Sequence, residues 1–256
     1  MNKHQYNMFC LPPAGSSASI YHPWKKQISD NIRIIPIEYS GHGIKINEPL
    51  IDEPDLLAMQ IANEIQAYSD TPFILFGHSV GGGLIWKVLN YLNEKTIIDQ
   101  LRLIVISSRP EHHYIQHMRY KHELTDEKII DELKRYNNFP DEILNNQDAL
   151  TFFLKIIRND FYLSDQLLGE KIHKTEVPIV AFYGKQDPDI PNKRMMDAWQ
   201  QHTENWLGSI EFEGDHFYFL NPETRVKMLE NIAAIVETLT VNIEYSPCYE
   251  YEEAAK

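Results

Sequence analysis

Cysteine is nearly absent from this chain of 256 residues: only Cys10 and Cys248 occur. Neither a disulfide framework nor a Cys-x-x-Cys metal site can be built from two such distant thiols. Basic charge is in deficit. Lys and Arg number 24 against 37 Asp and Glu, a formal net charge of −13, which argues against holding nucleic acid or anionic lipid by bulk electrostatics. Missing too is any run of about 20 apolar residues of the kind that spans a bilayer. The opening MNKHQYNMFCLPP holds too short an apolar stretch for a secretory signal, so the expected location is the cytoplasm. No internal repeat and no Gly/Ser linker interrupts the chain. With 43% hydrophobic and 24% charged residues, the composition is that of a globular protein with a sizeable core.

Short apolar runs read as buried strands at Tyr6–Leu11, Ile32–Glu38, Pro72–Gly77, Leu101–Ser107, Val177–Gly184 and Ser209–Glu213. FILFG, RLIVIS and PIVAFYG are continuous rather than alternating, as expected of parallel strands covered on both faces. Helical periodicity lies between most of them, at Leu56, Leu57, Ile61 and Ile65 and again over Thr224–Leu239. Strand alternating with helix predicts an α/β fold with a mainly parallel sheet, helices on both faces and right-handed crossovers. One stretch of about sixty residues after Ser107 has no strand pattern; it carries LTDEKIIDELKRY, with a cap at Thr125, and DALTFFLKIIRNDFYLSDQLL. The expected organisation is one domain over 1–240, a helical insertion at about 111–170, and an acidic, frayed tail over 241–256.

The segment richest in chemistry is PFILFGHSVGGGLIWKVL. Gly77-His78-Ser79-Val80-Gly81 is a G-x-S-x-G pattern directly after a strand and directly before a helix. Such a turn holds a nucleophilic serine where small flanking residues are needed because the backbone crowds itself. A serine nucleophile needs a base and an orienting acid, in chain order Ser, acid, His for this kind of sheet. Asp187 lies just past the end of VPIVAFYG and His216 just past SIEFE, in that order. Asp189 is the rival acid. An oxyanion hole needs two backbone N–H groups; Val80, after the nucleophile, and Ala14, in LPPAGSSAS after the first strand, are the candidates.

Together MFCLPPAGSSASIYHPW, IEYSGHG, PFILFGHSVGGGL, LKRYNNFPDEIL, IIRNDFYLSDQL, FYGKQDP and EGDHFYF resemble a type II thioesterase, over about Met8 to Leu239. This family comprises stand-alone editing hydrolases of nonribosomal peptide and polyketide synthesis. The resemblance implies an α/β-hydrolase fold, a Ser79–Asp187–His216 triad, an oxyanion hole at Ala14 and Val80, and a helical lid over an acyl channel. It implies no metal and no cofactor. The implied substrate is an acyl or aminoacyl thioester on the phosphopantetheine arm of an acyl- or peptidyl-carrier protein. Departures from the family pattern are Ser16 for a second Gly, Val80 for Met, and Ser40-Gly41-His42 for PGR; the GHG form also occurs in the family. Competing readings are an acyl-CoA thioesterase or carboxylesterase, a chain-release domain (disfavoured because nothing carrier-like precedes Met8), and a non-catalytic carrier-binding module.

Four further expectations follow. His112, His113, His117 and His122 read as a solvated, partly helical face rather than a metal site, for want of an HExxH context. Tyr114, Phe152, Phe153, Phe161 and Tyr162 fit core or substrate lining equally well. Leu133, Phe152, Phe153 and Ile156 should hold the insertion in place. Because the chain is acidic, docking of an acidic carrier would need a local basic patch, with Arg109, Arg119, Lys121, Lys134 and Arg135 as first candidates.

Overall fold

Six apolar segments pair side by side into one parallel sheet. They are β1 (Tyr6–Leu11), β2 (Ile32–Pro36), β3 (Phe73–His78), β4 (Leu101–Ser107), β5 (Ile179–Gly184) and β6 (Trp206–Phe212), in the order β2-β1-β3-β4-β5-β6. Every pairing is parallel, with registers such as Met8↔Ile34, Met8↔Ile74 and Ile104↔Ile179. The computed structural model describes residues 5–68, 70–116, 120–136, 141–169 and 172–244.

Because side chains alternate along a strand, each strand feeds two cores. Phe9, Leu11, Leu75, Ile104, Ile106 and Ala181 face one side, under α1 (Pro54–Gln66) and α2 (Val80–Glu94). Met8, Cys10, Ile74, Phe76, Val105 and Phe182 face the other, under a 3-10 segment (Ala18–Lys26) and α8 (Pro222–Glu244). This two-sided burial is why the strands read as unbroken apolar runs. No helix among the described residues is long and apolar enough to cross a membrane.

Strand ends differ from expectation at four strands: β3 covers Phe73–His78 rather than Pro72–Gly77, β5 begins at Ile179 rather than Val177, and β2 and β6 differ as well. β2 stops at Pro36, which cannot donate to a ladder. β6 begins three residues early, at Trp206; it is an edge strand, mostly half-exposed, so its apolar signal is weak. Leu56, assigned to the buried stripe of α1, is exposed, while Leu57, Ile61 and Ile65 are buried.

Between β4 and β5 the chain inserts α3 (His112–Ile115), α4 (Asp126–Arg135), α5 (Asp141–Leu144) and α6 (Gln147–Leu167), and the short α7 (Arg194–Asp197) follows β5. Thr125 caps α4 by accepting from the Lys128 N–H at 3.4 Å, and Asn146 caps α6 by accepting from Ala149. The long α6 has two roles along its length. Leu163 and Leu167 enter the main core, whereas Leu150, Leu154, Ile157 and Phe161 join Ile129 of α4 in a separate cluster. Phe152, expected to anchor the insertion, is exposed, because it lies on the opposite face of α6 from Leu150 and Leu154. Of the tail expected over 241–256, residues up to Glu244 continue α8 and the rest lie outside the described residues.

Trp24 closes the face under α8, with ring centroids 4.7 Å from Tyr21, 4.9 Å from Phe76 and 5.4 Å from Phe219. Trp24→Ala is expected to cost about 3–5 kcal/mol, read from the midpoint of urea denaturation at unchanged slope. A cost below about 1 kcal/mol would mean this cluster does not hold the segment after β1.

Candidate active site

Ser79 sits between the end of β3 and the start of α2 with φ 53° and ψ −115°, a region a side chain adopts only under strain. Its hydroxyl does not cap the helix that follows. A Cβ at Gly77 would stand 2.5 Å from the Gly81 carbonyl oxygen, and one at Gly81 would collide with the Leu11 carbonyl. The glycines of the pattern are therefore steric necessities of the turn. The Ser79 N–H is tied to the Ser107 carbonyl of β4 at 2.8 Å.

His216 follows β6, and its Nδ1–H donates to Asp187 Oδ2 at 2.9 Å. Asp187 follows β5 and accepts the Asp189 N–H on its other oxygen at 3.0 Å. The structure thus brings Asp187, and not Asp189, to the imidazole. With Nδ1 engaged, Nε2 is the remaining ring nitrogen, and His216 and Ser79 line the same cavity. Among the described residues no hydrogen bond joins Ser79 to His216; such contacts commonly tighten only with substrate bound.

Val80 is the first residue of α2, so its N–H has no partner within the helix. Ala14 occupies the second position of a turn closed by the Ser16 N–H donating to the Pro13 carbonyl at 3.2 Å, with Gly15 third at φ 70°. This is the conformation a type II turn asks of its third residue. The Ala14 N–H takes no part in the turn's own bond, and both residues line the cavity with Ser79 and His216.

That cavity, of about 270 Å³, runs under the insertion. Ile115, Leu133, Ile143, Phe153, Ile157 and Phe161 form its apolar wall. Phe153 and Phe161 are thus lining, whereas Tyr114, Phe152 and Tyr162 point outward. Tyr136, at the end of α4, lies against His216 with ring centroids 4.5 Å apart and the rings tilted by 37°, and donates its hydroxyl to Asp189 at 2.6 Å. Arg135 donates to the other Asp189 oxygen at 2.6 Å.

Burial works against charge at every one of these groups, and the neighbours decide the outcome. His216 is desolvated, yet Asp187 and then Asp189 stabilise its imidazolium and raise its pKa above the usual histidine value. Asp189 is likewise buried, but Lys121, His216, Tyr136 and Arg135 hold its carboxyl below the usual range. His78, between Ser107 and the ring of Phe219, is pushed well down by burial and then by His216, and stays neutral. Asp187, Asp189 and His216 bring ligand-type atoms within 4.8 Å of one another. All four carboxylate oxygens nevertheless already accept from His216, the Asp189 N–H, Tyr136 and Arg135. The donor set suits proton handling rather than a cation.

The family model for the thioesterase domain matches residues 7–236 of this chain. The chain belongs to the thioesterase domain family. The thioesterase is 26% identical over 223 residues to the gramicidin S biosynthesis protein GrsT of Aneurinibacillus migulanus, covering 87% of this chain and 86% of that protein. It superposes on the type II thioesterase BorB from the borrelidin biosynthetic cluster with a TM-score of 0.76 at 27% identity, covering 90% and 92% of the two chains. ClbQ from the colibactin pathway gives a TM-score of 0.76 at 26% identity, covering 93% and 99%. The expected α/β-hydrolase fold and the expected type II thioesterase kinship both hold, and the protein is a thioester hydrolase of the serine hydrolase type.

Two expectations about the thioesterase's charged residues need correction. The histidine group is a solvated face only in part: His113 is exposed on α3, but His112 is buried against Trp199, and burial beside Arg109 pushes its pKa down to about 3. His122 pairs with Asp165, and His117 lies outside the described residues. The basic patch is also largely spent. Arg109 is buried in the cavity wall, donating to Ser164 at 2.8 Å with its pKa pushed down to about 10. Lys121 and Arg135 are paired with Glu132, Lys134 is exposed, and Arg119 lies outside the described residues. Two contacts were invisible in the sequence: Tyr136 over His216, and a buried pair between His42 and Asp160 at 2.9 Å. IEYSGHG and IIRNDFYLSDQL contain the latter two residues, but only folding brings positions 118 apart in sequence together.

An NMR titration of the His216 ring should find it protonated to a higher pH than an ordinary histidine. Asp187→Asn, which removes the largest charge favouring the imidazolium, should lower that pKa. An unchanged value would transfer the role to Asp189.

Proposed function

We propose that Ser79 is the nucleophile, His216 the general base and acid, Asp187 the residue that orients it, and the N–H groups of Val80 and Ala14 the oxyanion hole. The observation that carries this reading is the strained Ser79 turn opening on the same cavity as a His216 imidazole whose Nδ1 is held by Asp187. Ser79 Oγ attacks the thioester carbonyl carbon as His216 Nε2 accepts its proton, and negative charge collects on the carbonyl oxygen between the two amides. Collapse breaks the C–S bond, the proton on Nε2 passes to the departing sulfur, and an acyl-serine remains. Water then attacks that ester, giving its proton to His216, which returns it to Ser79 Oγ as the acid leaves. The neutral imidazole is the working base, so turnover should climb as pH rises through the raised His216 pKa.

The substrate we infer is a short acyl or aminoacyl group carried on the phosphopantetheine arm of a carrier protein in the cytoplasm, removed to regenerate a stalled synthase. Relatives in gramicidin S and borrelidin biosynthesis support the carrier. The cavity supports the short acyl group. At about 270 Å³ it is smaller than common ligand pockets of roughly 300–1,000 Å³, and Arg109, Ser164 and Asp165 make part of its wall polar.

Ser79→Ala should leave the fold intact and lower turnover by at least about a thousandfold. A variant keeping a tenth of wild-type activity would refute the assignment. Turnover of acetyl-carrier, acetyl-CoA and p-nitrophenyl acetate, measured side by side, should favour the carrier in kcat/KM, and acetyl over dodecanoyl. Equal use of CoA would make it an acyl-CoA thioesterase, and a preference for the oxygen ester a carboxylesterase.

We further propose that the insertion over about 111–170 acts as a lid, with its mobile part at α4 and the first turns of α6. Its separate small core of Ile129, Leu150, Leu154, Ile157 and Phe161 supports this. Amide hydrogen exchange in α4 should be faster than in β3 and should slow when an acyl-pantetheine mimic binds. Equal protection without a ligand effect would remove the lid.

A further inference from the structure

Asp160 lies on α6, within the insertion, and is buried. One of its oxygens, Oδ2, accepts two hydrogen bonds: from the Gly15 N–H at 2.7 Å and from His42 Nε2 at 2.9 Å. The other ring nitrogen of His42, Nδ1, faces the Ser40 carbonyl at 3.1 Å. A carbonyl and a carboxylate only accept, so both ring nitrogens of His42 face acceptors, an arrangement that favours the imidazolium. Its pKa is accordingly raised: burial opposes the charge, but the hydrogen bond and charge of Asp160, the Ser40 carbonyl and Glu38 outweigh it. A charged pair this deep, bound to a main-chain N–H, joins α6 to two loops at once.

The loop it holds is the one that carries Ala14. Gly15 is the third residue of the turn from Pro13 to Ser16, and a Cβ there would come within 2.7 Å of Ile157, one turn before Asp160 on α6. Gly15 is therefore seated on α6 by contact as well as by its hydrogen bond. From the strand side, the Tyr21 and Tyr39 hydroxyls donate to the Leu11 and Pro12 carbonyls. Those bonds fix the approach to the turn, and α6 supplies a side-chain hydrogen bond to the turn itself.

We propose that Asp160 is a positioning residue for catalysis: through Gly15 it sets the direction of the Ala14 N–H, with His42 as its counter-charge, so the oxyanion hole is complete only while this part of α6 is docked. The inference rests on the assignment of Ala14 and Ser79 above. It also divides the insertion. The segment from Ile157 to Leu167 belongs to the catalytic scaffold, and only what precedes it can swing.

The test compares Asp160→Asn, which keeps an acceptor for the Gly15 N–H, with Asp160→Leu, which does not. The His42→Leu/Asp160→Leu double variant guards against misfolding, because replacing both members of a buried pair with apolar residues is commonly tolerated where removing one is not. Loss of one oxyanion donor lowers kcat by about a hundredfold or more. The folded Leu variants should show that loss with KM changed less than about threefold, and Asp160→Asn should stay within about tenfold of wild type. The same enzymes, labelled at Ser79 with an alkyl phosphonate, report on the hole directly, since the ³¹P resonance senses hydrogen bonds to the phosphoryl oxygen. It should move in the Leu variants and not in Asp160→Asn. A folded double variant with wild-type kcat, a loss carried by KM, or an unmoved resonance would overturn the role of Asp160. Failure of the wild-type enzyme to label at Ser79 would instead overturn the nucleophile assignment.

Discussion

The close approach of β3, α2 and β1 at Ser79 is the constraint on which the rest of the site depends. A serine at φ 53° costs on the order of 1–3 kcal/mol, and the turn persists because its surroundings leave no alternative. Gly81 is pressed against the Leu11 carbonyl, and the Ser79 N–H is held by Ser107. The same approach of Leu11 to Gly81 brings the loop after β1 alongside the start of α2. Two residues from distant segments, Ala14 and Val80, thereby line one cavity. The strain and the proposed oxyanion hole are two results of one packing arrangement.

Electrostatics inside the site differ from those of the chain as a whole. A protein carrying −13 overall assembles around His216 a set of carboxylates whose charges are individually answered. Asp187 is answered by His216, and Asp189 by Arg135 and the Tyr136 hydroxyl. In a desolvated setting an unanswered charge is costly, and each of these carboxylates has its partner within hydrogen-bond distance. Two of the partners, Arg135 and Tyr136, come from the insertion. The state of α4 therefore bears on the environment of His216 as well as on access to it.

Both ends of the insertion thus reach the reacting region by different means. α4 reaches it through the Tyr136 ring on His216, and α6 through Asp160 on Gly15. A cover that only excluded water would need apolar contacts alone. Under the proposed lid and triad, these contacts would tie closure to His216 on one side and to the loop of Ala14 on the other.

The sequence by itself determined the sheet and the two groups that sit at strand ends. Continuous runs such as FILFG and RLIVIS can be stable only when covered on both faces. Gly77 and Gly81 around Ser79 announce a turn that no bulkier residues could make. Asp187 and His216 were legible because each lies within a few residues of a strand whose end the sequence marks. Boundaries were less legible where burial is partial, as at the edge strand β6 with its half-exposed Trp206 start. Tertiary structure alone decided which acid meets His216, since Asp187 and Asp189 differ by only two residues and the turn between them selects the one that faces Nδ1. It alone decided that Arg109 and His112 are interior, because β4 ends beneath α6 and Trp199. It alone joined His42 to Asp160. The local sequence around each residue specifies a loop and a helix, and only burial of both against Gly15 turns two solvated side chains into one charged pair.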